Sequence, residues 1–220
     1  MAEPGGAVPP PFVKEWLPSR GRECNRTGKY KRFCEGPRRA PAPFGKADGL
    51  ARSLGLGTRM TMHHLLLRAP KPEWIAAAGG KPDAVSGKHQ LRLLWPVPDR
   101  RAWRSFGWDE RGGKRRWHKG VDIGAPEGTP VYAAQGGLVA YADNGVSGYG
   151  NLLTVVHADG TVAMYAHCQT IYVFPGQRIQ RGQRVADVGH TGIARGSHLH
   201  FEYRKRGRPV DPTKHFDSVP

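Results

Sequence analysis

The chain has 220 residues, of which 38% are hydrophobic, and its 30 glycines and 19 prolines argue against an all-helical fold. No apolar run approaches the ~18 residues that a membrane-spanning helix needs, so no membrane span is expected. Lys and Arg number 34 against 18 Asp and Glu, and the net charge of +16 points to anionic partners: nucleic acid, an anionic lipid face or an anionic bacterial wall.

The first residues, Met1-Ala2-Glu3-Pro4-Gly5, carry neither a basic n-region nor an apolar h-region, so no signal peptide is expected in this chain. Residues 1–45 have the composition of loop, with Pro9-Pro10-Pro11, Gly36-Pro37 and Ala40-Pro41-Ala42-Pro43 breaking any regular element. Cys24 and Cys34 flank a basic stretch without C-x-x-C spacing; a local disulfide and two free thiols both remain open. Three short helices are expected next. Ala47–Leu54 ends at Gly55 and Gly57, Met60–Arg68 is stopped by Pro70, and Glu73–Ala78 has Pro72 at its start and Gly79-Gly80 after it. Gly79 to Gln90 has the character of a linker, dividing a basic Pro/Gly-rich segment, 1–90, from a domain at 91–220.

Beyond Leu91 the pattern changes. Residues 130–142, 151–157, 161–167 and 184–189 are rich in β-branched or aromatic residues and bounded by Gly, Asn and Asp. Ala158-Asp159-Gly160 sits between two of these runs as a hairpin turn. A mainly β, mostly antiparallel domain is expected, preceded by the loop-rich, short-helix segment.

Three of the places that hold the ten histidines stand out: Trp117-His118-Lys119-Gly120-Val121-Asp122, Met164-Tyr165-Ala166-His167 and Ser197-His198-Leu199-His200-Phe201-Glu202. On a strand, residues two or four apart share a face, so His198 and His200 lie together, as do His118 and Asp122 if that segment is extended. Imidazole and carboxylate are good zinc ligands, and a catalytic zinc takes three protein ligands and leaves a fourth position open. Five candidates leave two histidines over, which suits peptide hydrolysis: one group handles the attacking water and another stabilises the oxyanion or leaving amine.

His118-x-x-x-Asp122, Tyr165-Ala166-His167 and His198-Leu199-His200-Phe201-Glu202 together resemble the signature of the LytM/lysostaphin-type zinc endopeptidases. The linking text fits too: Gly124-Ala125-Pro126-x-Gly128-Thr129-Pro130-Val131, Gly148-Tyr149-Gly150-Asn151, Gly176-Gln177, Gly182-Gln183 and Gly189-x-Thr191-Gly192. The resemblance covers about residues 91–215. It implies a small two-sheet antiparallel β core with a substrate groove and one Zn2+ per chain held by His118, Asp122 and His200. It implies His167 and His198 as the catalytic pair, the peptides of bacterial peptidoglycan as substrate, and a periplasmic or secreted location. Some relatives of this type have lost ligands and act as activators of other wall enzymes; here every ligand is present. The alternative is a non-catalytic wall-binding or amidase-activating module of the same fold. A nucleic-acid-binding role has only the charge in its favour, so no specific nucleic acid is expected, and the chain is expected to be a monomer.

Tyr149, Asn151, Tyr165 and His190 are candidates for the groove. For Tyr165, packing is favoured, with its hydroxyl at the site edge. Cys168, next to His167, is expected to face away from the metal into packing. Gly148, Gly150, Gly192 and Gly196 flank the proposed site, either for close approach of a peptide or for tight turns. His157 is expected to be structural, and His63, His64, His89 and His215 lack metal-like partners.

Overall fold

The computed structural model describes residues 18–20, 35–37, 45–80, 92–111 and 113–220. Cys24, Cys34, His89 and most of the expected linker lie outside these residues. Within the stretch expected to be loop, β1 (Pro18–Arg20) and β2 (Glu35–Pro37) pair as a short antiparallel ladder.

The helices form close to where the caps place them: α1 (Gly45–Leu54), α2 (Arg59–Leu67) and α3 (Pro72–Ala77). At α2, Thr58 and Thr61 cap each other's backbone N–H groups in a reciprocal box, and Pro72 occupies the first turn of α3, where no intrahelical donor is needed.

Twelve strands follow among the described residues. They are β3 (Ala102–Arg104), β4 (Gly107–Arg111), β5 (Lys114–His118), β6 (Val121–Gly124), β7 (Pro130–Tyr132) and β8 (Gly137–Asp143). The rest are β9 (Asn151–Val156), β10 (Thr161–Ile171), β11 (Arg178–Ile179), β12 (Arg184–Val188), β13 (His198–Lys205) and β14 (Arg208–Val210). The main sheet runs β11-β8-β9-β10-β13-β6-β3, antiparallel throughout, while β4 and β5 form a separate hairpin. The long β10 serves two layers: residues 161–166 pair with β13, and Cys168–Ile171 pair with β12, which also pairs with β7. The run expected over 130–142 is split into β7 and β8. Between them the backbone of Ala133 and Ala134 leaves the ladder to bond Gln183, Gly182 and Leu94.

Alternation along the strands makes two cores. On one face Tyr165, Leu199, Phe201 and Tyr203 pack against Val131, Val185 and Val188. On the other, Leu138, Leu152, Val156 and Met164 pack against Met62, Leu65, Trp74 and Ile75 of the helices. The helices thus belong to a core of the sheet. They cover only part of that face. The rest, along β6, β13 and the middle of β10, carries Asp122, His198, His200 and His167.

Candidate metal centre and groove

His118 and Asp122 meet across a corner rather than along one extended strand. β5 ends at His118 in the hairpin, Lys119 and Gly120 turn the chain, and Asp122 lies on β6 in the main sheet. In register, Asp122 faces His200 across β6 and β13. The buried side chains of His118, Asp122 and His200 form a trio whose donor atoms all lie within 4.8 Å of one another. His118 Nε2 is 3.1 Å from Asp122 Oδ1 and 3.1 Å from His200 Nδ1, and His200 Nδ1 is 2.7 Å from Asp122 Oδ1.

His167 arrives by a different device. Regular alternation would place it on the core face with Tyr165. Instead β10 gains one residue relative to β9 between Tyr165 and Cys168, and His167 takes φ 62°, in the left-handed region. Such a bulge re-aims one side chain: His167 joins the face of His200, with its ring centre 4.8 Å from that of His198 and 5.9 Å from that of His200. Cys168 returns to the opposite face, buried in the core beside Val188.

The outer nitrogens of the four imidazoles are all engaged. His118 Nδ1–H donates to the Ser105 carbonyl at 2.7 Å, His167 Nδ1–H to the Thr191 carbonyl at 2.8 Å, and His198 Nδ1–H to the Gly196 carbonyl at 2.8 Å. His200 turns Nε2 to the Glu202 carboxylate at 3.3 Å. The remaining nitrogens, Nε2 of three rings and Nδ1 of His200, are the ones left for the centre. Fixing one ring nitrogen on an outer acceptor sets the tautomer and orientation of a metal-binding histidine.

Burial acts to raise the Asp122 pKa, but hydrogen bonds from His118 and His200 outweigh it and hold the carboxyl far below its ordinary value. Burial acts to lower His200, but Asp122 and Glu202 raise it to about 9. Without an ion, therefore, a proton supplies the positive charge between two carboxylates. Burial, together with the neighbouring His198 and His200, pushes His167 down to about 3, and burial also lowers His198. Two neutral imidazoles thus stand beside an N, N, O donor set. The donor atoms of a four-coordinate zinc lie about 3.3 Å apart, close to the separations here, so the residues fit such an ion.

A groove of about 550 Å³ opens over the trio. Trp103, Trp117 and Arg116 line one side of it, and Tyr149, Ile193 and Arg195, from the loops beside β9 and β13, line the other. Arg104 reaches in from β3, with Nε 2.7 Å from Asp109 and NH1 3.4 Å from Asp122.

Among the four groove candidates, Tyr149 alone lines the cavity, and its hydroxyl donates to Glu202 Oε1 at 2.8 Å. Tyr165 is a correction: its hydroxyl is in the core, accepting from the Ala134 N–H at 2.8 Å, and not at the site edge. Asn151 is buried outside the groove and donates to the Gln169 carbonyl. His190 also lies outside it, with Nε2 donating to the Ala194 carbonyl. Gly148 lines the groove, whereas Gly150 and Gly192 pack backbone against backbone: a Cβ on Gly192 would stand 2.4 Å from the Gly150 nitrogen. His157 is buried and donates to the Gly136 carbonyl, and His63, His64 and His215 lie away from the trio. Trp103, Trp117, Arg104 and Arg195 were not anticipated. Glu202 and Arg204 were within reach, because His198, His200, Glu202 and Arg204 alternate along one strand.

The sequence profile of peptidase family M23 matches residues 116–212. The catalytic domain of the prophage-encoded M23 protein EnpA from Enterococcus faecalis, solved as a point mutant, is 32% identical, with a TM-score of 0.50, covering 55% of this chain and 94% of that one. A zinc containing peptidase from Vibrio cholerae is 32% identical with a TM-score of 0.52, covering 60% of this chain and 41% of that one. The murein hydrolase activator NlpD of Escherichia coli is 36% identical over 121 residues, 55% of this chain and 30% of NlpD. The chain spans only 30% to 39% of the length of the first curated relatives it matches. The profile begins two residues before His118 and takes in the whole trio and both further histidines, and on that agreement of sequence, fold and site the chain belongs to peptidase family M23.

Proposed function

We propose that this chain is a zinc-dependent endopeptidase acting on the peptides of bacterial peptidoglycan, in the periplasm or outside the cell. His118, Asp122 and His200 hold one zinc, and His167 and His198 are the catalytic pair. The observation that carries the reading is the set of four buried imidazoles, each with its outer nitrogen on an acceptor and the other left for one centre. When bound, zinc would supply Lewis acidity and activate water. One of His167 and His198, both neutral at pH 7, takes the proton released by the attacking water at Nε2, while the other accepts a hydrogen bond from that water's second O–H and orients it. The protonated Nε2–H then donates to the oxyanion and passes its proton to the leaving amine. Tyr149 is already committed to Glu202, which leaves those tasks to the histidines.

The groove's charges support a choice among peptides. Its acids are engaged inward, while Arg116, Lys119 and Arg195 are exposed at the opening with no ion-pair partner among the described residues. Such a rim favours a stem peptide with free carboxylates, as at a D-Ala–diaminopimelate bond, over a neutral glycine bridge.

The test is digestion of defined muropeptides by zinc-loaded protein, with metal content measured and products identified by mass. One zinc per chain and a cleaved peptide bond are expected. Stoichiometric zinc with no cleaved product, together with stimulation of an added amidase, supports the second reading, an activator, which the similarity to NlpD favours.

A further inference from the structure

The N-terminal helices lie outside the segment that matches the family, yet hydrogen bonds join them to the metal centre. Glu202 is fully buried, and both its oxygens are in use. Oε1 accepts from His200 Nε2–H at 3.3 Å and from the Tyr149 hydroxyl at 2.8 Å, while Oε2 accepts from Arg204 NH1. Arg204 is itself buried, and its NH2 donates at 2.9 Å to two carbonyls, those of Gly207 and of Leu66. Leu66 lies in the last turn of α2, where carbonyls lack intrahelical donors and carry the negative end of the helix dipole. A guanidinium there is held by charge as well as by hydrogen bonds.

A second observation places α2 at the same point. Gly207, in the turn between β13 and β14, takes φ 76°, and a Cβ there would stand 2.4 Å from the Arg68 nitrogen and 2.6 Å from the Leu67 carbonyl carbon. The end of α2 therefore rests directly on the turn that follows Arg204. Leu65, Met62 and Trp74 clamp the helices onto the sheet beside it.

We infer that Arg204 is a positioning residue for the metal centre and that docking of α2 holds it in place, so that residues 45–80 tune metal affinity. The sequence of contacts is the Leu66 carbonyl, Arg204, Glu202, His200. His200 presents Nδ1 to the trio only while Nε2–H is held by Glu202, and Glu202 keeps its orientation and charge only while Arg204 faces it. Outer partners of this kind typically change metal affinity by about 10–100-fold when removed. The inference rests on His200 as a ligand.

The experiment measures zinc affinity of the full chain by competition with a chromophoric chelator. The variants are Arg204→Met, Arg204→Lys and Leu65→Asp, the last of which places a charge in the α2–sheet core. Ile179→Ala, in the other core, serves as a control for general loss of stability. Arg204→Met is expected to weaken zinc binding at least about tenfold, with partial rescue by Arg204→Lys. Leu65→Asp is expected to weaken binding while Ile179→Ala leaves it unchanged. If Leu65→Asp does not fold, the two Arg204 variants decide. Wild-type affinity in folded Arg204→Met, or an equal loss in Ile179→Ala, overturns the inference while leaving the hydrolase reading intact. A wild-type chain that takes up no zinc overturns both.

Discussion

At His167 the backbone adopts φ 62°, a conformation that costs a non-glycine residue about 1–3 kcal/mol and persists only where its surroundings enforce it. Here the enforcement is the bulge on β10 and the bond to the Thr191 carbonyl, and the result is a histidine beside the metal trio but outside it. His167→Ala and His198→Ala are therefore expected to keep near-stoichiometric zinc and to cleave peptides at least about a hundredfold more slowly. His200→Ala and His118→Ala are expected to lose most of the metal. Metal content, melting temperature and turnover on the same preparations separate these outcomes, since a merely packed histidine would lower the melting temperature and leave turnover per zinc intact. The trio also predicts a pH dependence. Asp122 and Glu202 keep a proton on His200 up to about pH 9, and metal must displace it. Below that pH the metal-free site holds one more proton than the loaded site, so affinity falls about tenfold for each pH unit of acidification. Calorimetric titration of zinc in two buffers of different ionisation enthalpy should register release of about one proton at pH 7. The shared face of His198 and His200 was legible from spacing, whereas the grouping of His118, Asp122 and His200 as one trio followed only from the resemblance. The corner at Lys119-Gly120 and the bulge at His167 were not legible, since alternation describes only regular strands.

The elements divide in the same way. The three helices could be placed from Gly and Pro punctuation, and α3 begins at Pro72 as its sequence requires. Their docking was not legible, because short helices carry little periodicity to say what they cover. The β4–β5 hairpin was missed for a related reason. It is a two-stranded ladder with Trp108 paired to Trp117 and charged residues around them, so neither face alternates as a core strand would. The split between β7 and β8 depends on hydrogen bonds to a loop some fifty residues away, beyond any local pattern. Among the helix residues, Trp74 is almost wholly buried, donates Nε1–H to the Leu54 carbonyl at 2.9 Å and belongs to the core that α1, α2 and α3 share with the sheet. Trp74→Ala leaves a large cavity and an unpaired carbonyl, so a loss of about 3–5 kcal/mol is expected in urea unfolding. Were the helices only an appended arm, the sheet would unfold at the wild-type denaturant concentration, which far-ultraviolet circular dichroism would detect.

Across the whole molecule the excess of positive charge is general, +16 over the chain, and it also rims the groove through Arg116, Lys119 and Arg195. These are two different electrostatic roles. Under the proposed function, the surface field, which acts over the Debye length of about 10 Å at 0.1 M salt, would raise the local concentration of protein at an anionic wall. The chemistry at the trio is buried beneath the groove, where the groups that would move protons lie within hydrogen-bonding reach of one another and salt screens them little. Wall retention and peptide-bond cleavage should therefore respond differently to ionic strength. In a pelleting assay with isolated sacculi, the bound fraction is expected to fall steeply between about 50 and 300 mM NaCl. Turnover of a short, neutral peptide substrate over the same range should change less than about twofold. Substituting surface cations away from the groove, for example Arg178→Gln with Arg208→Gln, should weaken retention without altering turnover of that neutral peptide. Salt-insensitive retention would show instead that the wall is held by shape and hydrogen bonds within the groove. The charge would then serve solubility alone.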